Sequence, residues 1–511
     1  MRIQHLEMKN ITKRFPGVVA NDRVNLEVKA GEVLALLGEN GAGKTTLMKI
    51  LYGMYRPDEG EIWVNGNAVQ IESPRDAMRL GIGMVHQHFM LVPTLTVVEN
   101  IILGLPTGKG PLLNLDEAAD RLKKISEEYG LQTKPHAYVW QLSVGEQQRV
   151  EILKVLYRGA ETLILDEPTA VLTPKEVDEL FVVLREMVRV GHSIILISHK
   201  LKEIMQISDR VTVLRNGRSV KTLLTKETDE HELAQLMVGR EIINELERKP
   251  TQADKVALEI EDLHVLNDQR LLAVRGLNLK VREGEIVGLA GVSGNGQREL
   301  AEAIAGLRPV KKGKILIQGK EITHASPREI IAAGLGYIPE DRLHVGTIPS
   351  FSVAENIILK DHSRPPLSNY GFVSLPTVEE YAGRLVKEYD IKTPDILTPV
   401  RALSGGNIQK LVLAREIHRK PVVLLANQPT RGLDIGATEF VHQQLMEQRS
   451  QGKAILVISE DLDEIFALSD RIAVIYEGKI IGDIAAKEAK RETIGLMMAG
   501  LAKGDNGKNH S

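Results

Sequence analysis

The chain has 511 residues, 43% hydrophobic and 26% charged, with 65 Lys and Arg against 68 Asp and Glu for a net charge of −3. That balance excludes a disordered chain, a collagen-like chain and a coiled-coil rod, and it lacks the whole-molecule positive field of a nucleic-acid binder. With no cysteine, a disulfide, a thiolate metal site and a thiol nucleophile are excluded as well. No apolar run reaches the roughly 18 residues that span a bilayer, and Met1 to Glu7 has no signal-peptide core. The expected location is cytoplasmic, and work at a membrane would require docking to another protein.

In chain order, the run Val33 to Leu37 predicts a strand buried on both faces. It leads into Gly38-Glu39-Asn40-Gly41-Ala42-Gly43-Lys44-Thr45, which fits G-x-x-x-x-G-K-[ST]. Glycines there let the backbone bend so that successive N–H groups, and then a helix N-terminus, point at phosphate oxygens. Lys44 is expected at the β- and γ-phosphates and Thr45 at Mg²⁺, with Thr46 following in the same cradle. Beyond it, Leu47, Ile50, Leu51 and Met54 recur at helical spacing. A second strand, Leu163 to Leu165, ends in Asp166-Glu167-Pro168. Asp166 is placed to hold the metal, and Glu167 to orient or deprotonate an attacking water. A third, Ile194 to Ile197, precedes His199.

The pattern then repeats. Gly31 to Gly38 is echoed by Gly284 to Gly291, Thr96 to Leu103 by Ser352 to Leu359, Leu142 to Gly145 by Leu403 to Gly406, and Ser208 to Val211 by Ser469 to Ile472. The separation stays near roughly 250 residues, which marks one duplicated unit and not a solenoid. The expected domains are 1–243 and 256–501, joined by a polar linker at 244–255 and followed by a disordered tail at 502–511.

Leu142-Ser143-Val144-Gly145-Glu146 and Leu403-Ser404-Gly405-Gly406-Asn407 resemble the signature sequence of ATP-binding-cassette ATPases, and the other motifs occur in that family's order. The resemblance implies an α/β fold of two tandem P-loop domains. Each would have a mostly parallel sheet core, a helical subdomain and an antiparallel β portion. It implies that Phe15 stacks on adenine, that Gln87 senses the γ-phosphate and metal and touches a membrane partner, and that His199 contacts the γ-phosphate. Two such units pair head to tail in this family, so Ser404, Gly405, Gly406 and Asn407 of one half would close on the phosphate loop of the other.

The second half departs from the pattern. Gln297 and Arg298 stand at the positions of Lys44 and Thr45, Asn427 and Gln428 at those of Asp166 and Glu167, Glu340 at that of Gln87, and Glu460 at that of His199. No Phe, Tyr or Trp lies between Glu261 and Ala290, where the adenine platform belongs. An amide is neither a base nor a good magnesium ligand. The expectation is therefore one complete ATP and Mg²⁺ site, drawing on the first half and on the Ser404 loop. The other seat would hold one cation, Arg298, against up to three carboxylates, Glu340, Glu460 and Glu146. Whether that seat holds nucleotide passively stays open. The first half also carries Thr173 where the family's D-loop has an aspartate, whereas the second keeps Asp434, which would reach toward the complete site.

A tandem cassette with a degenerate second half resembles the ATPase of bacterial sugar and nucleoside importers. Glu340-Asp341-Arg342 fits that group, while Val85 to Phe89 and Leu142 to Lys154 look closer to the nucleoside branch, whose binding proteins are lipoproteins. This implies integral membrane permeases as partners, a peripheral place on the cytoplasmic membrane face, and no nucleic acid. Docking is expected on the helical insertions from about Phe89 to Trp140 and from about Leu343 to Val400. The rival readings are a simple-sugar importer, a soluble tandem ATPase acting on ribosomes, and a non-catalytic nucleotide-switched module.

Overall fold

The structure is a computed structural model that describes residues 3–16, 18–87, 89–105, 114–169, 172, 174–239, 255–369 and 372–501. It divides into two compact units, Met1–Ile242 and Ile243–Ser511. All of the expected linker but Lys255, all of the expected tail, part of the first helical insertion, and Thr173 lie outside the described residues.

In the first unit, a six-stranded sheet runs in the order Arg218–Leu224, Arg210–Arg215, Val33–Leu37, Ser193–Ile197, Thr162–Asp166, Ile82–Val85. Its pairs are parallel except for the edge strand Arg218–Leu224. Both faces are buried, which is why these strands read as continuous apolar runs. Alternation assigns the faces. Leu34, Leu36, Ile164, Ile195 and Ile197 pack with the helix Lys44–Leu51 and with the antiparallel strands His5–Phe15 and Val18–Lys29. Val33, Leu163, Leu165, Ile194 and Leu196 pack toward the helices Val97–Ile102, Leu115–Glu128 and Val144–Tyr157.

The second unit repeats the plan. Its sheet runs Leu335–Ile338, Val423–Asn427, Ala454–Ser459, Ile286–Ala290, Arg471–Tyr476, Lys479–Ala485. Leu289, Leu425 and Leu456 join the antiparallel side, and Ile286, Leu424 and Val457 the helical side with Gly405–His418. A small ladder in this unit pairs Ser368–Asn369 with Phe372–Val373. Among the described residues no helix is long and apolar enough to cross a membrane.

Parallel pairing sends the chain out of every central strand at one end of the sheet. Gly38, Gln87, Asp166 and His199 therefore follow their strands at the same edge, where open α/β sheets bind ligands.

Candidate functional site

The phosphate loop is shaped by backbone, not side chains. Gly43 has φ 96° and forms the N-terminal boundary of the helix Lys44–Leu51, with no side chain capping the first turn. A Cβ on Gly43 would lie 2.3 Å from the Ala20 carbonyl oxygen, so only glycine fits there. Gly41 has φ 84° and nothing within 4 Å of where its Cβ would be, so the loop is open on that side. Ala42 is buried in the core below. Lys44 is buried, and its Nζ donates to the carbonyls of Gly38 and Glu39 at 2.7 and 2.9 Å. The ammonium thus sits inside the curl of the loop. Asn40 and Thr46 are half-buried at the loop and in the first helical turn. The helix ends at Leu51, three residues short of the expected Met54. Gly53 has φ 75°, its N–H donates to the Ile50 carbonyl, and Met54 is exposed.

Asp166 ends its strand 5% exposed. Burial first, and then the adjacent Glu167 charge, push its carboxyl up to about 6, against the pull of Lys44 and a hydrogen bond from Thr45. Thr45 and Asp166 are therefore in contact. No group of three or more His, Asp or Glu suited to a metal exists among the described residues. A hydroxyl and one carboxylate instead suit Mg²⁺, which keeps its waters and phosphate oxygens and needs few protein ligands.

Glu167 is held on both oxygens. Gln87 Nε2 donates to Oε2 at 2.8 Å, and His199 Nδ1 lies 3.0 Å from Oε1. The His199 hydrogen bond is the main reason its carboxyl lies below the usual glutamate range, with Lys44 and Lys200 adding positive charge. The backbone of Glu167 is left-handed, φ 48°, and its N–H donates to the Ile197 carbonyl at 3.0 Å. So Gln87, Glu167 and His199 form one cluster, while Thr45 and Asp166 form the neighbouring pair. The link from Gln87 to Glu167 was not legible in the motifs. Phe15 is 38% exposed at a strand end, edge-on to Tyr55 with centroids 5.5 Å apart, and Lys13 Nζ is 5.8 Å from its ring. The ring is thus partly open to solvent, and Tyr55 and Lys13 are neighbours that sequence reading missed.

The second unit keeps the backbone and changes the side chains. Gly296 has φ 98° and Gln428 φ 49°, matching Gly43 and Glu167. Gln297 is buried with Nε2 unpartnered. Asn427 is buried and hydrogen-bonded to Tyr337. Arg298 turns along its own helix, donating to Glu302 at 2.8 Å. The expectation of one cation in this seat is corrected. A cavity of ≈ 1120 Å³ there is lined by Arg298, Arg342, Arg401 and Arg431, and the expected excess of carboxylates remains, with Glu299, Glu302, Glu340, Asp341 and Glu460 on the same wall. Arg342, Arg401 and Arg431 come from segments outside the phosphate motif, so matching its columns does not reveal them. Arg431 forms an ion pair with Glu340.

The two signature loops differ in their hydroxyls. Ser143 caps Val144–Tyr157 in a reciprocal box with Glu146. Ser404 makes no such cap, and its Oγ lies 2.9 Å from Asn407 Nδ2, which donates to it. Accepting there leaves the Ser404 proton to donate elsewhere. The Asn407 oxygen accepts from the Lys392 N–H at 2.8 Å. Asp434 caps the helix Ile435–Ser450 through the Ala437 N–H.

These features recur in known proteins. The family model described as ABC transporter matches residues 21–170 and 274–431. The guanosine import ATP-binding protein of Bacillus subtilis (strain 168) is 52% identical over 503 residues, covering 98% of this chain and 99% of the relative. The nucleoside import ATP-binding protein of Lactococcus lactis subsp. cremoris is 50% identical, covering 97% of this chain and 98% of the relative. A solved archaeal ribosome recycling factor, in complex with a ribosomal stalk protein, matches with TM-score 0.60 over 96% of this chain and 92% of that one, but at 20% identity it shares the fold alone. The cradle, the duplicated plan and the end-to-end likeness to these import proteins make the chain a member of the ABC transporter family, with two tandem ATP-binding cassettes.

Proposed function

We propose that this chain is the ATP-hydrolysing subunit of a membrane importer for a nucleoside, with a single hydrolytic site built on the first cassette. The observation that carries the reading is Glu167, held by Gln87 and His199 next to the buried Asp166, against the amides Asn427 and Gln428 in the second cassette. The nucleoside follows from the guanosine and nucleoside import relatives, at 52% and 50% identity. The glucose import relative of Haloferax volcanii, at 46%, and a ribose import relative of Rubrobacter xylanophilus, at 42%, keep a simple sugar as the second reading. Partners are integral permeases and, through them, a lipoprotein solute-binding protein, with this chain peripheral on the cytoplasmic face.

In this mechanism Lys44 exchanges the Gly38 and Glu39 carbonyls for β- and γ-phosphate oxygens. Phe15 stacks on adenine, and the N–H groups from Glu39 to Thr46 cradle the phosphates. Thr45 and Asp166, with Gln87, would hold Mg²⁺, which when bound would supply positive charge against the phosphates. Glu167 orients the attacking water and takes its proton, fixed by Gln87 and His199. On the family's pattern, Ser404, Gly405, Gly406 and Asn407 complete the site, with the Ser404 proton donated to the γ-phosphate.

The test is ATP turnover of the complex with Lys44→Ala and with Gln297→Ala. Lys44→Ala is expected to abolish turnover, and Gln297→Ala to keep most of it; equal losses overturn the one-site reading. Deleting the chain should remove growth on nucleosides but not on glucose or ribose, and the opposite result moves the substrate to sugars.

A further inference from the structure

The cavity of the second cassette contains a connection made by an arginine whose paired position in the first cassette is Phe89. Glu340-Asp341-Arg342 follows the strand Leu335–Ile338, where Gln87, His88 and Phe89 follow the strand Ile82–Val85. Arg342 reaches away from its own loop. Its Nη1 donates to the Arg431 carbonyl at 2.7 Å and its Nη2 to the Gly432 carbonyl at 3.4 Å. The same turn is tied to the segment a second time by the Glu340–Arg431 ion pair. The guanidinium also lies against the signature loop, because a Cβ on Gly405 would be 2.8 Å from Nη2. Gly405 is therefore the residue that makes room for Arg342. In the first cassette the paired positions carry Phe89 and Val144, neither able to make this junction.

We propose that Arg342 is a positioning residue that ties the Ser404–Asn407 loop and the 430–434 turn to the Glu340-Asp341-Arg342 segment, so that all three move as one piece. A guanidinium suits the task because its fork bonds two successive carbonyls while its flat face packs on a glycine. The inference rests on the reading that the Ser404 loop completes the hydrolytic site. Through Arg342, movement of the 340–342 segment shifts the loop that presents Ser404 to the γ-phosphate. Loss of the tie leaves Ser404 in place chemically but poorly aimed, which slows turnover without weakening nucleotide capture to the same degree.

The experiment uses the assembled complex with Arg342→Gln, Arg342→Lys, Ser404→Ala and the double variant Arg342→Gln/Ser404→Ala. Each is assayed for kcat, the KM for ATP, and the thermal midpoint. Ser404→Ala is expected to slow turnover. Arg342→Gln is expected to lower kcat about 10-fold or more, with KM changing less than about 3-fold and the midpoint held. Arg342→Lys, which offers one donor point instead of a fork, should recover only part of the rate. In the double variant, Arg342→Gln should add little to Ser404→Ala, since both act through one hydroxyl. Normal kcat in Arg342→Gln alongside an impaired Ser404→Ala overturns the proposal and leaves the site reading standing. So does a loss that tracks the thermal midpoint alone. Normal turnover in Ser404→Ala overturns the site reading and the proposal together.

Discussion

The two bonds to Glu167 define a quantitative test of what His199 and Gln87 do. The contacts measure 3.0 Å from His199 and 2.8 Å from Gln87, one on each carboxylate oxygen. The His199 and Glu167 side chains are only 22% and 16% exposed, so water screens that pair incompletely. A hydrogen bond to a charged partner contributes about 1.5–3 kcal/mol. If that energy aims the carboxylate at its water, His199→Ala should lower kcat by about 10- to 150-fold, with the KM for ATP nearly unchanged. Gln87→Ala should fall in the same range.

The cycle with Glu167→Gln separates aim from direct contact. If His199 works by fixing Glu167, then His199→Ala adds almost nothing once Glu167 is an amide. A pH profile is a second readout. His199 is the leading cause of the lowered Glu167 carboxyl, and a base works when deprotonated. The acid limb of kcat therefore lies below the usual glutamate range in the wild type and moves to higher pH in His199→Ala. Steady-state ATPase of the complex with excess magnesium measures both quantities. Equal fold-losses from His199→Ala in the wild-type and Glu167→Gln backgrounds, with an unmoved acid limb, would refute the reasoning and place His199 on the phosphate independently.

Two further outcomes concern stability. Asp166 has its carboxyl raised to about 6 from 3.8, so between those values the folded chain holds a proton that the unfolded chain has lost. Stability therefore falls as pH rises through that window, and above it the buried charge costs about 3 kcal/mol. Asp166→Asn should lose turnover yet resist urea better than wild type at pH 8, with the advantage shrinking on acidification toward pH 4; a pH-independent difference contradicts this. Glu416 is fully buried and bonded to Lys360 at 2.7 Å and Arg415 at 2.9 Å. Glu416→Ala leaves two cations without their carboxylate and should cost about 3–5 kcal/mol in denaturant titrations, while replacing Glu416 and Lys360 together by apolar residues should recover most of it.

Local signals in the sequence carried the sheet and the cradle. Val33 to Leu37 and Ile194 to Ile197 are strands because uninterrupted β-branched and aliphatic runs need cover on both faces, and the phosphate loop follows from its glycines. Helical apolar spacing after Lys44 continues to Met54, past the end of the helix at Leu51, because the left-handed Gly53 stops it. That glycine was a visible stop signal. The gathering of three further arginines beside Arg298 in the second cavity was not legible. Arg342, Arg401 and Arg431 come from three separate segments and converge only once the sheet has formed. The pairing of Gln87 with Glu167 also joins residues 80 positions apart, across the adjacent strands Ile82–Val85 and Thr162–Asp166.

The second cassette also shows what the strained backbone at this site means. A non-glycine residue with positive φ invites a catalytic reading, and Glu167 at φ 48° is an obvious candidate. Yet Gln428, which has no acid to offer, sits at φ 49°. In both units the N–H of that residue donates to a carbonyl near the end of the adjacent strand, Ile197 at 3.0 Å and Ile458 at 2.8 Å. The left-handed turn is therefore fixed by how a parallel strand leaves this sheet, and it is present with or without chemistry. At these two positions the cassettes differ in side-chain charge. Asp166 stays ionised at neutral pH against its burial, while Asn427 fills the same buried place as a neutral amide bonded to Tyr337. The second cassette thus retains the architecture that presents its loops and omits the charge whose burial is worthwhile only where a metal is to be held.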